Sequence, residues 1–287
     1  MVFQNYALFP HMTAAQNVAF PLQMRRFGRS EIKRKVADAL ALVKLETFGE
    51  RYPRQLSGGQ QQRIALARAI VFEPRLLLMD EPLGALDKKL REALQLEILR
   101  ISRQVGATVV YVTHDQEEAL VMSDRIAIFN HGTIEQLGDG EDLYDRPVSL
   151  FVADFIGESN ILRGRFERTA DGAWLVRAEW RWRVSARQAD RHGLAHDSAA
   201  ALVVRPERLR IEAVETGLDA QWNSVEAAVT EVLYLGSSRK VELVLPDDRS
   251  AVVRQPIGEL DGDLHAGQRV RLAWRVDEAV LVADPNG

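Results

Sequence analysis

The first half of the chain alternates helical periods with short apolar runs. Ile32, Val36, Leu40 and Val43 recur at three- and four-residue steps, predicting a helix that begins at Glu31 behind an N-cap at Ser30. Pro53 interrupts the chain before a second helix predicted over 58–72, which stops ahead of Pro74. Leu76-Leu77-Leu78-Met79 and Thr108-Val109-Val110-Tyr111-Val112 read as two strands, each buried on both faces. Between them Asp87 is placed to cap a long helix ending near Gly106, and a further helix opens near Asp115. Ile126-Ala127-Ile128-Phe129 and Thr133-Ile134-Glu135-Gln136-Leu137 flank Asn130-His131-Gly132, a hairpin signal. Strand, helix, strand, helix is the order of an α/β sheet.

The pattern then changes. No long helical period follows about residue 190, and short runs such as Ala201-Leu202-Val203-Val204 and Val241-Glu242-Leu243-Val244-Leu245 sit between Gly, Pro and Asp turns. Many short strands with turn signals predict a small all-β barrel or sandwich. All five tryptophans (Trp174, Trp180, Trp182, Trp222, Trp274) fall in this half. The shift places a boundary around Phe155-Ile156-Gly157-Glu158-Ser159-Asn160, dividing the chain into domains 1–157 and 158–287. Two domains also suit a length of 287 residues.

Composition narrows the function classes. A formal charge of −4 argues against a nucleic-acid surface, which needs clustered Lys and Arg. The run Arg25, Arg26, Arg29, Lys33, Arg34, Lys35 is interrupted by Asp38 and Glu46 and reads as a solvated helix face. The absence of cysteine excludes disulfides and thiolate metal sites. Six scattered histidines with no His-x-x-x-His pair give little support to a structural zinc site. No apolar run approaches the roughly 18–20 residues of a membrane helix.

Several short elements carry candidate chemistry. Leu56-Ser57-Gly58-Gly59-Gln60 opens a helix whose free N–H groups suit an anion, with glycines that let another molecule approach. Alone, such a stretch is an ordinary turn. Asp80 and Glu81 end the first apolar strand, where ligands of open α/β sheets bind. Asp80 suits Mg²⁺ through a hard oxygen, and Glu81 suits a general base for an attacking water; a solvated acid pair is the plainer reading. His114, in Thr113-His114-Asp115, ends the second strand in the same way. Gln4 follows the apolar Val2-Phe3, and Gly84-Ala85-Leu86-Asp87 follows the acid pair.

Taken in this order, the elements resemble the ATP-binding subunits of ABC transporters. Gln4 resembles the Q-loop, residues 56–60 the signature, 76–81 the Walker B strand, 85–87 the D-loop and His114 the switch histidine. Asn5-Tyr6-Ala7-Leu8-Phe9-Pro10-His11-Met12-Thr13 and Gln60-Gln61-Gln62-Arg63-Ile64-Ala65-Leu66-Ala67-Arg68-Ala69 extend the resemblance through the linking segments. In the second domain, Val204-Arg205-Pro206-Glu207 and Val232-Leu233-Tyr234-Leu235-Gly236-Ser237 resemble the TOBE domain of importer ATPases. Phe151-Val152-Ala153-Asp154-Phe155-Ile156-Gly157-Glu158-Ser159-Asn160 looks most like the spermidine/putrescine importer group, with iron, sugar and thiamine importers close behind.

The resemblance implies an ABC-type P-loop NTPase core with a helical subdomain, followed by an OB-like TOBE domain. It implies ATP hydrolysis with Mg²⁺ between two subunits arranged head to tail. One subunit would supply Gln4 and Asp80 to the metal, with Glu81, His114 and Gln4 in catalysis. Its partner would present Ser57, Gly58, Gly59 and Gln60 to the nucleotide, with Asp87 at the same interface. A groove near Gln4 and the helical subdomain would receive a membrane permease, itself served by an extracytoplasmic solute-binding protein. The location implied is peripheral, on the cytoplasmic face of the inner membrane.

The sequence departs from the family at one point. It holds no Gly-x-x-x-x-Gly-Lys-Ser/Thr loop to cradle phosphates, which in the family precedes the Q-loop. Met1 resembles an internal residue of relatives, so the expectation is an N-terminally truncated reading frame that is inactive alone. The alternatives are a real short form, a non-catalytic regulatory or decoy subunit, or an ABC ATPase of DNA repair or translation; the TOBE-like tail and acidic balance disfavour the last.

Overall fold

The computed structural model describes residues 1–84, 87–191, 193–258 and 264–285. The chain divides into two compact units, Met1–Asp124 and Arg125–Gly287. The compositional boundary at 157/158 falls within the second unit, just after helix Leu150–Phe155.

The first unit runs α1 (Ala14–Met24), α2 (Arg29–Leu42), α3 (Gly58–Ile70), β1 (Leu76–Asp80), α4 (Lys88–Val105), β2 (Thr108–Val112) and α5 (Gln116–Met122). Its helices start where side chains can take up orphan N–H groups. Thr13 caps α1 in a reciprocal box with Gln16, Ser57 does the same with Gln60, and Asp87 and Asp115 cap α4 and α5. α4 ends as expected at Gly106, whose φ of 68° is a left-handed C-cap. α2 begins earlier than its sequence suggests. Ile32 N–H already donates to Gly28 O at 2.9 Å, so Gly28 is the N-cap and Ser30 lies inside the first turn. Val36, Leu40 and Val43 are buried as predicted, while Ile32 is half-buried. α3 stops at Ile70, two residues short of its expected end, where Glu73 turns the chain with φ of 53°.

β1 and β2 pair in parallel, Leu76 beside Thr108 through Asp80 beside Val112, and Val2 bridges Met79 on the other side of β1. The expectation of strands buried on both faces does not hold. Leu77, Met79, Val109 and Tyr111 face the helical core with Ile64, Ile70 and Ile98. The opposite face stays open, with Leu76 and Val112 each 53% exposed and Val110 47%. The helices of this unit cover one side of the sheet, so a continuous apolar run here is buried on alternate residues only.

The second unit opens with a hairpin, β3 (Ile126–Asn130) and β4 (Thr133–Gly138), turning through His131 and Gly132, both at positive φ. Short helices α6 (Gly140–Asp145) and α7 (Leu150–Phe155) lead into β5 (Asn160–Thr169), β6 (Gly172–Arg177), β7 (Trp180–Val184), α8 (Ala186–Arg191) and β8 (Ser198–Val204). Then follow β9 (Arg210–Glu212), β10 (Trp222–Tyr234), β11 (Ser238–Val244), β12 (Ser250–Pro256), β13 (Arg269–Arg275) and β14 (Val280–Ala283). They form two five-stranded sheets, β14-β8-β5-β6-β7 and β12-β11-β10-β13-β9. Phe166, Leu175, Trp182 and Leu202 of one sheet share a core with Val229, Val241, Leu272 and Trp274 of the other. This is the all-β domain expected from the short strands and turns.

The sheets repeat one another. Each is built on a three-strand meander, β5-β6-β7 or β10-β11-β12, with a fourth strand returning beside its first. The next strand then crosses to the other half: β9 follows β8 but pairs with β13, and β14 follows β13 but pairs with β8. Asn160, opening β5, donates to Val252 O at 2.8 Å and accepts from Val252 N–H at 2.7 Å on β12. Asn223, near the start of β10, makes the same pair of bonds to Arg183 on β7, at 2.8 and 2.7 Å. Each buried amide stands in for a strand's backbone and ties one sheet to the other.

Arg205 secures the start of this unit to its sheets. The buried guanidinium donates to Tyr144 O and Ala153 O, both at 2.8 Å, and lies 4.1 Å from the Tyr144 ring centroid. Tyr144 donates its hydroxyl to Glu207 at 2.7 Å. Arg205 and Glu207, noticed in the sequence only as part of a motif, therefore hold α6 and α7.

Candidate active site

The site grows out of the end of β1. Asp80 N–H donates to Val2 O at 2.9 Å, which aligns the N-terminal segment with the strand and delivers Gln4 to its carboxyl end. Beyond Gln4 the chain turns through Tyr6 and Ala7, both at positive φ. Arg68 of α3 holds that turn, donating to Ala7 O at 2.7 Å and Tyr6 O at 2.9 Å. Glu81 leaves β1 with φ of 43°, a left-handed conformation that a residue with a Cβ adopts at a cost. Its N–H donates to Val112 O at 2.9 Å, so the turn is anchored to the end of β2, two residues before His114.

Two side chains converge on the Glu81 carboxylate. Gln4 Nε2 donates to Oε2 at 3.0 Å, and His114 Nδ1 lies 2.9 Å from Oε1. Gly84 stands close by; a Cβ there would lie 3.6 Å from Gln4 Nε2. The hydrogen bond to Glu81, followed by that carboxylate's charge, raises the pKa of the exposed His114 imidazole above its ordinary value. Asp80 is exposed, and its carboxylate has no hydrogen-bond or ion-pair partner among the described residues.

The other predicted residues lie elsewhere in the same unit. Ser57 Oγ accepts from Gln60 N–H at 3.4 Å, and Gln60 Oε1 accepts from Ser57 N–H at 2.9 Å. This box leaves the Gly58 and Gly59 N–H groups without an intrahelical partner at the start of α3. Gly58 is exposed; Gly59 is buried, where a Cβ would meet Leu90 at 3.2 Å. Asp87 accepts from Leu90 N–H at 3.0 Å. Ala85 and Leu86, the rest of the predicted D-loop, lie outside the described residues.

Sequence reasoning missed the support behind His114. Glu118, almost wholly buried, accepts from the hydroxyls of Tyr111 and Thr113, each at 2.8 Å. Burial first, and then this bond, push the Tyr111 pKa up. Arg91 donates to Asp115 at 2.9 Å and lies 3.8 Å from Glu118. With Glu81, Gly84 and His114, the residues Arg91, Thr113, Asp115 and Glu118 line a cleft of about 30 Å³, room for a water molecule. The Asp115-x-x-Glu118 spacing was the available signal, since it marks a helix N-terminus.

The donor set fits a hard cation that arrives with a ligand better than a resident metal cage. Among the described residues, no group of three or more His, Asp or Glu side chains is arranged to hold a metal. Magnesium typically takes one or two protein carboxylates together with substrate phosphates.

Comparison with known proteins shows the family. A family model described as "ABC transporter" matches residues 1–84, and one described as "TOBE domain" matches residues 202–282. The chain belongs to the ATP-binding subunits of ABC transporters, a family whose activity is ATP hydrolysis. The spermidine/putrescine import ATP-binding protein PotA of Thermobifida fusca is 47% identical over 98% of this chain and 72% of its own length. The protein of the same name from Rubrobacter xylanophilus is 45% identical over 100% of the chain and 74% of its own length. Pseudomonas aeruginosa PotA 1 is 44% identical over 99% and 75%.

Proposed function

We propose that this chain is the ATP-hydrolysing subunit of an importer for a polyamine such as spermidine or putrescine. The observation that carries the hydrolytic reading is the convergence of Gln4 and His114 on the Glu81 carboxylate. In this reading Glu81 takes the proton of the attacking water, which general-base catalysis requires within hydrogen-bond reach. His114 holds one carboxylate oxygen and Gln4 the other, so the base is aimed before substrate arrives. Asp80 and the amide oxygen of Gln4 would hold Mg²⁺, which supplies charge neutralisation at the phosphates. Ser57, Gly58, Gly59 and Gln60 would meet the nucleotide bound by a second, head-to-tail subunit, because the start of α3 offers unpaired N–H groups to an anion. Asp87 would contribute beside them through the loop it closes.

The same reading places the chain at the cytoplasmic face of the membrane, docked on a permease through the groove near Gln4 and the helices that follow. An extracytoplasmic solute-binding protein would serve that permease. No described helix is long and apolar enough to cross a membrane. The polyamine assignment rests on the names of the relatives. We keep the division 1–157 and 158–287 as the proposed functional boundary, ATPase before and TOBE after.

The alternative reading is a non-catalytic regulatory subunit; hydrolysis also needs a phosphate-cradling Gly-x-x-x-x-Gly-Lys-Ser/Thr loop beside these residues. ATP hydrolysis by this chain, and by a form extended upstream to include such a loop, separates the two. The extended form is expected to turn over, and Glu81→Gln to slow it by about 10²–10⁴-fold, the usual worth of a general base. Turnover that survives Glu81→Gln sinks the catalytic assignment. An extended form that stays inert, while this chain alters the rate of an intact ATPase, establishes the regulatory reading.

A further inference from the structure

We propose that Arg91 is a positioning residue for hydrolysis, joining the first turn of α4 to the loop that carries His114 and so holding the imidazole against Glu81. The proposal rests on the reading of Glu81 and His114 given above. His114 is 72% exposed, and its one side-chain bond among the described residues is to Glu81. Packing does not hold the ring, so its place is set by the backbone of residues 113–115. That backbone is held from two sides. Asp115 N–H donates to Thr113 Oγ1 at 2.9 Å, and Thr113 in turn donates to the buried Glu118. Arg91 pairs with Asp115 and reaches towards Glu118, setting one guanidinium between two carboxylates.

Without that cation, Asp115 and Glu118 are like charges three residues apart on the first turn of α5, one of them almost fully buried. Repulsion and the cost of an uncompensated buried carboxylate both favour opening the loop to water. The loop then carries His114 away from Glu81. Arg91 also accompanies the cap at Asp87, since Arg91 N–H donates to Asp87 O at 2.9 Å. A movement at Asp87 therefore has a direct route to His114.

The test compares the full chain with Arg91→Met, Arg91→Lys and Glu81→Gln, reading the imidazole Cε1–Hε1 chemical shift of His114 at one fixed pH. The signal is assigned by its loss in His114→Ala. Arg91→Met is expected to move the His114 signal to where Glu81→Gln puts it, while the His11 and His265 signals stay in place. Arg91→Lys, which keeps the charge, is expected to restore most of the original position. An Arg91→Met chain that is less stable but leaves the His114 signal unmoved overturns the proposal, since Arg91 is then only a fastener between α4 and α5. If Arg91→Met does not fold, Arg91→Gln removes the cation while keeping a donor towards Asp115, and the same shift is required of it. Should Glu81→Gln itself leave His114 unmoved, the Glu81–His114 pair fails and the hydrolytic reading with it. A shift with Glu81→Gln but none with Arg91→Met removes only the role of Arg91.

Discussion

The imidazole of His114 lies 2.9 Å from one oxygen of Glu81, and the Gln4 amide takes the other at 3.0 Å. The two residues come from the ends of neighbouring parallel strands, brought level by the pairing of Asp80 with Val112. Because Glu81 raises the pKa of His114, the pair contributes stability that depends on pH. The sign follows from which form of the imidazole bonds best. A histidine whose folded-state pKa is raised contributes its full stabilisation below about pH 6.5, its unfolded value, and loses it as pH rises through the folded value. The gap in unfolding midpoint between this chain and His114→Ala is therefore expected to narrow as pH rises from about 5.5. Helical circular dichroism is the appropriate probe, because every tryptophan belongs to the second unit. A gap that widens with pH reverses the sign and refutes the pairing.

Glu81 keeps its place at a backbone cost. Its φ of 43° is a conformation that glycine reaches freely and other residues do not. Glu81→Ala and Glu81→Gly both delete the carboxylate, so their difference isolates the strain. Glycine is expected to be the more stable of the two by about 1 kcal/mol. An alanine variant as stable as the glycine variant would show that the turn relaxes once the carboxylate is gone.

Much of this site is legible in the sequence because strand ends and helix caps are local features. Asp80 and Glu81 after an apolar run, His114 after another, and Asp87 and Asp115 before helices all declare themselves within a few residues. The burial of β1 and β2 does not. Leu76, Leu78, Val110 and Val112 are as apolar as their inward neighbours, and only tertiary packing decides which face is covered. Arg91 and Glu118 were missed for a related reason. Each has the spacing of a surface helix residue, and their juxtaposition depends on how α4 lies beside β2 and α5. Ser30 misled because a capping residue and a first-turn residue are chemically alike, and only the Ile32 bond to Gly28 separates them.

Asn160 stands in the sequence only as the end of a motif and Asn223 not at all, yet they hold equivalent places in the two halves of the β domain. Each exchanges two hydrogen bonds with a strand of the opposite half. Replacing either with alanine leaves a buried N–H and C=O unpaired, at a cost of about 2–4 kcal/mol. Aspartate keeps the acceptor but sets a buried carboxylate against the carbonyl that the amide served, so it is expected to cost at least as much as alanine. Denaturant unfolding followed by tryptophan fluorescence reads this unit selectively, with Trp182 and Trp274 in its core. Alanine variants within about 0.5 kcal/mol of the parent, the range of ordinary surface changes, would mean that the clamps contribute nothing.

Arg205 tests whether α6 and α7 are part of the same cooperative body as the β domain. Its guanidinium serves carbonyls at Tyr144 and Ala153 while lying over the Tyr144 ring. Lysine supplies the charge but lacks the planar fork that reaches both carbonyls at once. Arg205→Lys is therefore expected to cost nearly as much as Arg205→Ala, about 2–4 kcal/mol, because backbone acceptors are left buried without donors in either case. Hydrogen exchange locates the loss. Amides of residues 140–155 should exchange faster in both variants, whereas those of β11 and β12 should change only by the global loss of stability. Faster exchange confined to the β strands would place the role of Arg205 in the sheets themselves, and the two helices would then be held by other contacts.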